Sequence, residues 1–112
     1  MLNEGMATDF AAGQIMSVFR SRLAADANPA YGEHADRMSE LARTMPGYVD
    51  HKSFTADDGE RVTIVTFADR ESHDAWRLQP DHVEAQRAGI ASYYDTYSLQ
   101  VGTVERVTSF TR

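Results

Sequence analysis

Trp76 and His82 are the residues whose types and spacing are best suited to chemistry in this chain. They stand in the stretch AWRLQPDHVEAQRAGIASYYDTYSLQV, from Ala75 to Val101. His82 follows Pro80-Asp81 near an expected helix start, where the positive end of the helix dipole disfavours the imidazolium and keeps the ring neutral at pH 7. A neutral imidazole facing a pocket can deprotonate a phenol or hydroquinone; a capping or exposed histidine is the competing account. Trp76 offers a flat wall on which a planar ligand would stack, although packing alone would also explain the largest apolar side chain in the domain. Tyr93, Tyr94 and Tyr97 add hydroxyls that can orient a polar ligand or donate to a developing oxyanion. Packing at a helix-to-strand corner is the better account of at least two of the three.

The remaining candidates are weaker. His51 shares strand parity with Val49 and Ser53, and His34 sits one residue from an apolar helical stripe, so either can line a cavity. His73 falls on an early, polar helical turn and is expected to be solvated. Together with His82 it lacks the close ligand spacing and carboxylate context of a zinc or iron site, and no metal is expected. Arg20, Arg22 and Lys52 can hold a carboxylate or simply stand at solvated strand ends. No Gly-rich phosphate loop, Gly-x-Ser-x-Gly elbow or dinucleotide fingerprint is present, so nucleotide cofactors and serine hydrolysis lack support.

These residues need elements to position them. QIMSVFRSRL, from Gln14 to Leu23, alternates with Ile15, Phe19 and Leu23 on one side and Met16 and Val18 on the other, a strand apolar on both faces. Asp26, Asn28 and Pro29 supply helix-start chemistry, and Tyr31, Ala35, Met38, Leu41, Ala42 and Met45 recur at helical spacing. That predicts a helix over 30–44, stopped by Pro46-Gly47. Two strand-like runs then flank Asp57-Asp58-Gly59, which reads as a hairpin. Asp69 looks like an N-cap with Ser72 close behind, Pro80 interrupts the helix it opens, and Asp81 is expected to cap a restart reaching about Tyr93. A last strand is predicted near 97–110, with a bend at Gly102.

The order strand, helix, strand, strand, helix, strand is the α+β, ferredoxin-like split arrangement with an antiparallel sheet. Two helices cover one face of such a sheet, yet the first and third strands are apolar on both. A second copy packing sheet on sheet is the simplest cover, with the long last strand able to cross to the partner.

Bulk properties narrow the classes. A chain of 112 residues supports one core: a loose tail at 1–13 followed by a single domain over 14–112. Eleven Lys and Arg against seventeen Asp and Glu, net −6, is the wrong sign for a nucleic-acid partner. The absence of cysteine fits a reducing compartment. Nothing resembles a signal peptide or a membrane span, so the expected location is the cytoplasm.

At MPGYVDHKSF, DGERVTIVTFAD, AWRLQPDHVEAQ and YYDTYSLQV the chain resembles the antibiotic biosynthesis monooxygenase family of dimeric α/β barrels, from about Gln14 to Phe110. The resemblance implies a homodimer and a cofactor-independent oxygenation of a small aromatic, phenolic or quinol compound, in which the substrate's own anion reacts directly with oxygen. For that chemistry His82 and Trp76 are expected as the catalytic pair, with His51, Tyr93, Tyr94 and Phe19 expected against the substrate. The alternative is a non-catalytic binding or structural dimer of the same fold. The family's haem-degrading branch joins a first-strand asparagine to a tryptophan and a histidine on helix 2. QIMSVFRSRL has no asparagine, which leaves haem binding through His82 as a third reading.

Overall fold

The computed structural model of this chain describes residues 9–112. Its elements run β1 (Ile15–Leu23), α1 (Tyr31–Thr44), β2 (Tyr48–Thr55), β3 (Arg61–Phe67), α2 (Arg70–Arg77), α3 (Pro80–Ala88), a π-helical turn (Gly89–Tyr93) and β4 (Tyr94–Thr103). The expected split βαββαβ order is present, and the four strands form one antiparallel sheet in the order β2-β3-β1-β4. β1 lies inside that sheet between β3 and β4; Ile15 on its helical face is buried, whereas Met16 on the opposite face is exposed. The first eight residues of the expected tail lie outside the described residues. From Gly13 the chain is tied to the far end of the fold: Gly13 N–H donates to the Val104 carbonyl at 2.9 Å, and Val104 N–H to that of Gln14 at 2.8 Å.

Local chemistry explains the boundaries. Asn28 Oδ1 accepts from Ala30 N–H at 2.9 Å, a turn that feeds α1 without capping it directly. The hairpin closes through Gly59 N–H to the Ala56 carbonyl and Ala56 N–H to that of Glu60, with Gly59 at φ 92°. Only glycine takes that conformation without strain. Asp69 caps α2 reciprocally with Ser72, whose N–H donates to Asp69 Oδ1 at 2.9 Å.

Three expectations are corrected. The restart at Pro80 is capped by Gln79, whose Oε1 accepts from His82 N–H at 2.9 Å, rather than by Asp81. Proline's fixed φ suits the first helical position, so the cap falls one residue before it. The last strand spans Tyr94–Thr103 rather than 97–110. Its irregularity lies opposite Arg22 and Leu23, not at Gly102, which pairs in register with Met16. The early start follows from the π-turn, which ends the helix abruptly and leaves the Ser92 and Tyr93 carbonyls to accept from Asn28 and Ala24 N–H.

Helices occupy one side of the sheet. The core there is Phe67, Trp76 and Ala42, with Leu41, Met45, Tyr48 and Val65 packed against it, so it lies over β2 and β3. The opposite face carries Met16, Val18, Val62, Ile64 and Phe54, with Met16 and Phe54 exposed. On the helical side the row Tyr97, Leu99 and Val101 of β4 is also exposed, beyond the reach of the helix layer.

Two charge clamps tie β1 to the hairpin tip. The Arg20 guanidinium grips both Glu60 oxygens at 2.9 and 2.8 Å, and Arg22 reaches the Asp58 carboxylate at 2.7 Å. Arg20 holds the Glu60 carboxyl below its ordinary 4.5; the Glu60 N–H, then Arg22, hold that of Asp58 below 3.8. Carboxylates depressed in the folded state stabilise it above their ordinary values, and lose that contribution as pH falls through the folded ones. Urea midpoints should therefore fall more steeply below about pH 4.5 in the wild type than in Glu60→Gln. The difference should be small, because both pairs are solvent-exposed.

Candidate functional site

The proline break brings Trp76 and His82 together. Six residues apart on an unbroken helix they would point well away from each other, since each residue advances about 100°. After Leu78 the chain turns, Pro80 restarts it, and the His82 ring folds back flat on the Trp76 indole, 4.0 Å between centroids and 14° between planes. Phe67 stacks on Trp76 from the sheet side at 6.3 Å and 28°. Trp76 is only 7% exposed, so its role in the fold is to back the histidine while closing the core.

His82 Nδ1 lies 3.0 Å from the Trp76 carbonyl oxygen. A carbonyl can only accept, so the contact assigns the proton to Nδ1 and leaves Nε2 of the neutral ring with a free lone pair. Burial lowers the pKa of His82; the hydrogen bond to Trp76 opposes that shift and the neighbouring His73 adds to it. The ring is thus neutral, of fixed tautomer and held in orientation, the properties required of a general base.

Around this stack the sheet contributes a second pair. Tyr48 Oη lies 2.8 Å from His51 Nδ1, and the Tyr48 ring meets Phe67 edge-on at 6.1 Å. Strand alternation would send residues 48 and 51 to opposite faces. A bulge between Tyr48 and Asp50 puts both on the helical side, opposite Phe67 and Val65. Burial pushes the His51 pKa down, with Arg43 adding to it, and burial together with Asp50 pushes the Tyr48 hydroxyl up. His51 therefore reaches the Trp76–His82 stack through Tyr48 and Phe67. His73, expected in solvent, is 6% exposed and edge-on to Phe67 at 6.4 Å, because the inner stripe of the short α2 includes it along with Trp76.

Phe19, Tyr93 and Tyr94 belong to a different cluster, toward the other end of the helix–sheet layer. Phe19 meets Tyr94 edge-on at 5.4 Å and Tyr97 at 5.6 Å, and Tyr31 of α1 packs on Tyr93 and Tyr94. Burial raises the Tyr94 hydroxyl well above the ordinary tyrosine range. Gly89 lies against the Tyr94 ring, where any β-carbon would collide. Tyr93, 6% exposed, places its hydroxyl 3.0 Å from His34 Nδ1. This pair has no periodic signal in the sequence, because the π-turn sets the direction of Tyr93. The six expected site residues thus fall into two groups, Trp76, His82 and His51 in one and Phe19, Tyr93 and Tyr94 in the other.

Two surface depressions flank these clusters. One, of about 260 Å³, lies along Arg20, Thr96, Tyr97 and Gln100. The other, of about 540 Å³, runs between α1 and α3 and includes His34 and Asp81. Trp76 and His82 line neither. Among the described residues no group of three or more His, Asp or Glu could hold a metal ion, and no helix is long and apolar enough to cross a membrane.

Comparison with known proteins agrees with this architecture. The family model described as antibiotic biosynthesis monooxygenase matches residues 14–88. The uncharacterized protein YqjZ of Bacillus subtilis is 29% identical over 90 residues, covering 80% of this chain and 79% of its own. SnoaB, a cofactor-independent oxygenase from Streptomyces nogalater, superposes with a TM-score of 0.71 at 19% identity, over 86% of this chain and 97% of its own. Rv0793 from Mycobacterium tuberculosis gives 0.71 at 17% identity, over 89% and 98%. At these identities the structural likenesses establish the fold.

Proposed function

This chain belongs to the antibiotic biosynthesis monooxygenase family, and from that premise we propose that it is a homodimeric, cofactor-independent oxygenase of a small aromatic phenol or quinol, with His82 as its base. The observation that carries the reading is the hydrogen bond from His82 Nδ1–H to the Trp76 carbonyl, which leaves Nε2 unprotonated in a ring fixed against the indole. The likeness to SnoaB, itself a cofactor-independent oxygenase, supports the same chemistry.

For an anthrone-like substrate the steps balance without an external reductant. Nε2 takes a proton from the ring methylene, leaving a delocalised carbanion. The carbanion passes one electron to oxygen, and the radical pair combines to a peroxide at that carbon, protonated by the imidazolium. Loss of the second methylene proton then breaks the O–O bond and leaves a carbonyl. One oxygen atom remains in the product, the other departs as water, and the methylene supplies all four electrons.

The test is oxygen uptake with anthrone and simple hydroquinones. Uptake above the uncatalysed rate that requires His82 supports the reading; none above that rate in the wild type removes it for this substrate class. One observation favours a second reading: Trp76 is enclosed between Phe67 and His82 and completes the core. A purely structural or ligand-holding dimer would need it for that alone, and would consume no oxygen.

The dimer in this proposal packs the faces carrying Met16, Val18, Ile64 and Phe54 against each other, since an apolar sheet face of this kind is not stable in water. Sedimentation at micromolar concentration should give the mass of two chains. The mass of one would overturn the arrangement.

A further inference from the structure

The groove between α1 and α3 has chemistry that neither the fold nor the proposed base uses. Met38 and Leu41 form its apolar floor, and its volume of about 540 Å³ suits a ligand of several fused rings. Leu41 also packs on the core that holds Trp76, so the floor is anchored. Around this floor stand Glu40, Asp81 and Glu84 against the single cation Arg37. None of the four takes part in the ion pairs found among the described residues. Three carboxylates against one guanidinium leave a negative rim over a hydrophobic floor.

We propose that this groove is a binding site for a flat aromatic molecule carrying a cationic nitrogen. The rings lie on Met38 and Leu41, and the ammonium faces the carboxylates of α1 and α3. His34, which lines the same groove, completes the polar side. In the tautomer whose Nδ1–H donates to the Tyr93 oxygen, across the 3.0 Å contact, Nε2 accepts a hydrogen bond from the ligand's ammonium. Burial holds Tyr93 in place and keeps that ring oriented. The site goes beyond the oxygenase reading and stands whether or not His82 acts as a base.

The test uses two probes with one ring system, 9-(aminomethyl)anthracene and 9-anthracenecarboxylate, with binding read from anthracene fluorescence anisotropy. The amine should bind about tenfold more tightly than the carboxylate at low ionic strength, and the ratio should fall toward unity near 1 M salt, where the screening length is about 3 Å. The Asp81→Asn/Glu84→Gln double variant changes only exposed side chains, so folding is spared. It should erase most of the preference, and Arg37→Gln should enlarge it. Equal binding of the two probes, no binding of the amine, or a preference that survives the double variant would each overturn the proposal. So would amine binding that is lost in His82→Ala and unchanged in the double variant, because the ligand would then lie at the stack. Oxygen uptake enters none of these readouts, so failure here and failure of the oxygenase reading remain distinct.

Discussion

Replacing His82 with alanine should lower kcat/KM for oxygen uptake with anthrone by about a hundredfold or more, the range for loss of a positioned base. The size follows from what the ring supplies. Nδ1 is committed to the Trp76 carbonyl at 3.0 Å and the ring is stacked 4.0 Å from the indole, so the tautomer and the plane are set before substrate arrives. His82→Gln should be about as inactive, because an amide cannot take the proton. The pH profile carries the sign. Burial lowers the folded pKa below the ordinary 6.5, so the base stays neutral, and activity persists, as pH falls below 6.5. The acid limb of kcat/KM should therefore lie below 6.5. An acid limb at or above that value, or a variant with wild-type uptake, would remove His82 from the mechanism.

The order of elements is legible in the sequence because each depends on local chemistry. Alternation marks β1, the acidic-glycine turn marks the hairpin, and Asp69 with Ser72 marks the start of α2. The site is legible only in part, and the reasons are geometric. Trp76 and His82 stand out by type, yet their stacking depends on where Pro80 restarts the helix. Tyr48 joins His51 only because a bulge breaks strand parity, and parity is the rule on which any reading of a strand from sequence must rely. Tyr93 meets His34 because five residues wind as a π-turn, which shifts every later side chain relative to an α-helical register. The polar neighbours Ser72 and Asp74 make His73 read from sequence as solvated, although it is 6% exposed. In a two-turn helix, however, a single inner stripe passes through both His73 and Trp76, whatever flanks them. The two aromatic groups along the helix–sheet layer are likewise a product of strand register, which places Phe19 beside Leu99 and Tyr97 and far along the sheet from Phe67.

Trp76→Ala should cost about 3–5 kcal/mol of folding stability, the range for truncating a large buried aromatic, measured from urea transitions followed by circular dichroism. The indole is 7% exposed, and its loss opens a cavity between Phe67 and the His82 ring. A stability loss alone does not separate packing from function, so the pH profile must decide. The hydrogen bond that fixes the His82 tautomer goes to the backbone oxygen of residue 76, and it survives any substitution there. The indole does supply part of the burial that lowers the His82 pKa, and water entering the cavity would relax that shift toward 6.5. Trp76→Ala should therefore move the acid limb upward in pH as well as weaken the fold. Trp76→Phe keeps an aromatic face against the imidazole, and should retain most of the stability and leave the limb close to its wild-type position. An alanine variant that is destabilised but keeps its acid limb unchanged would reduce Trp76 to a core residue. The base would then have to owe its neutrality to the Gln79 cap and the start of α3, where the helix dipole disfavours a protonated ring.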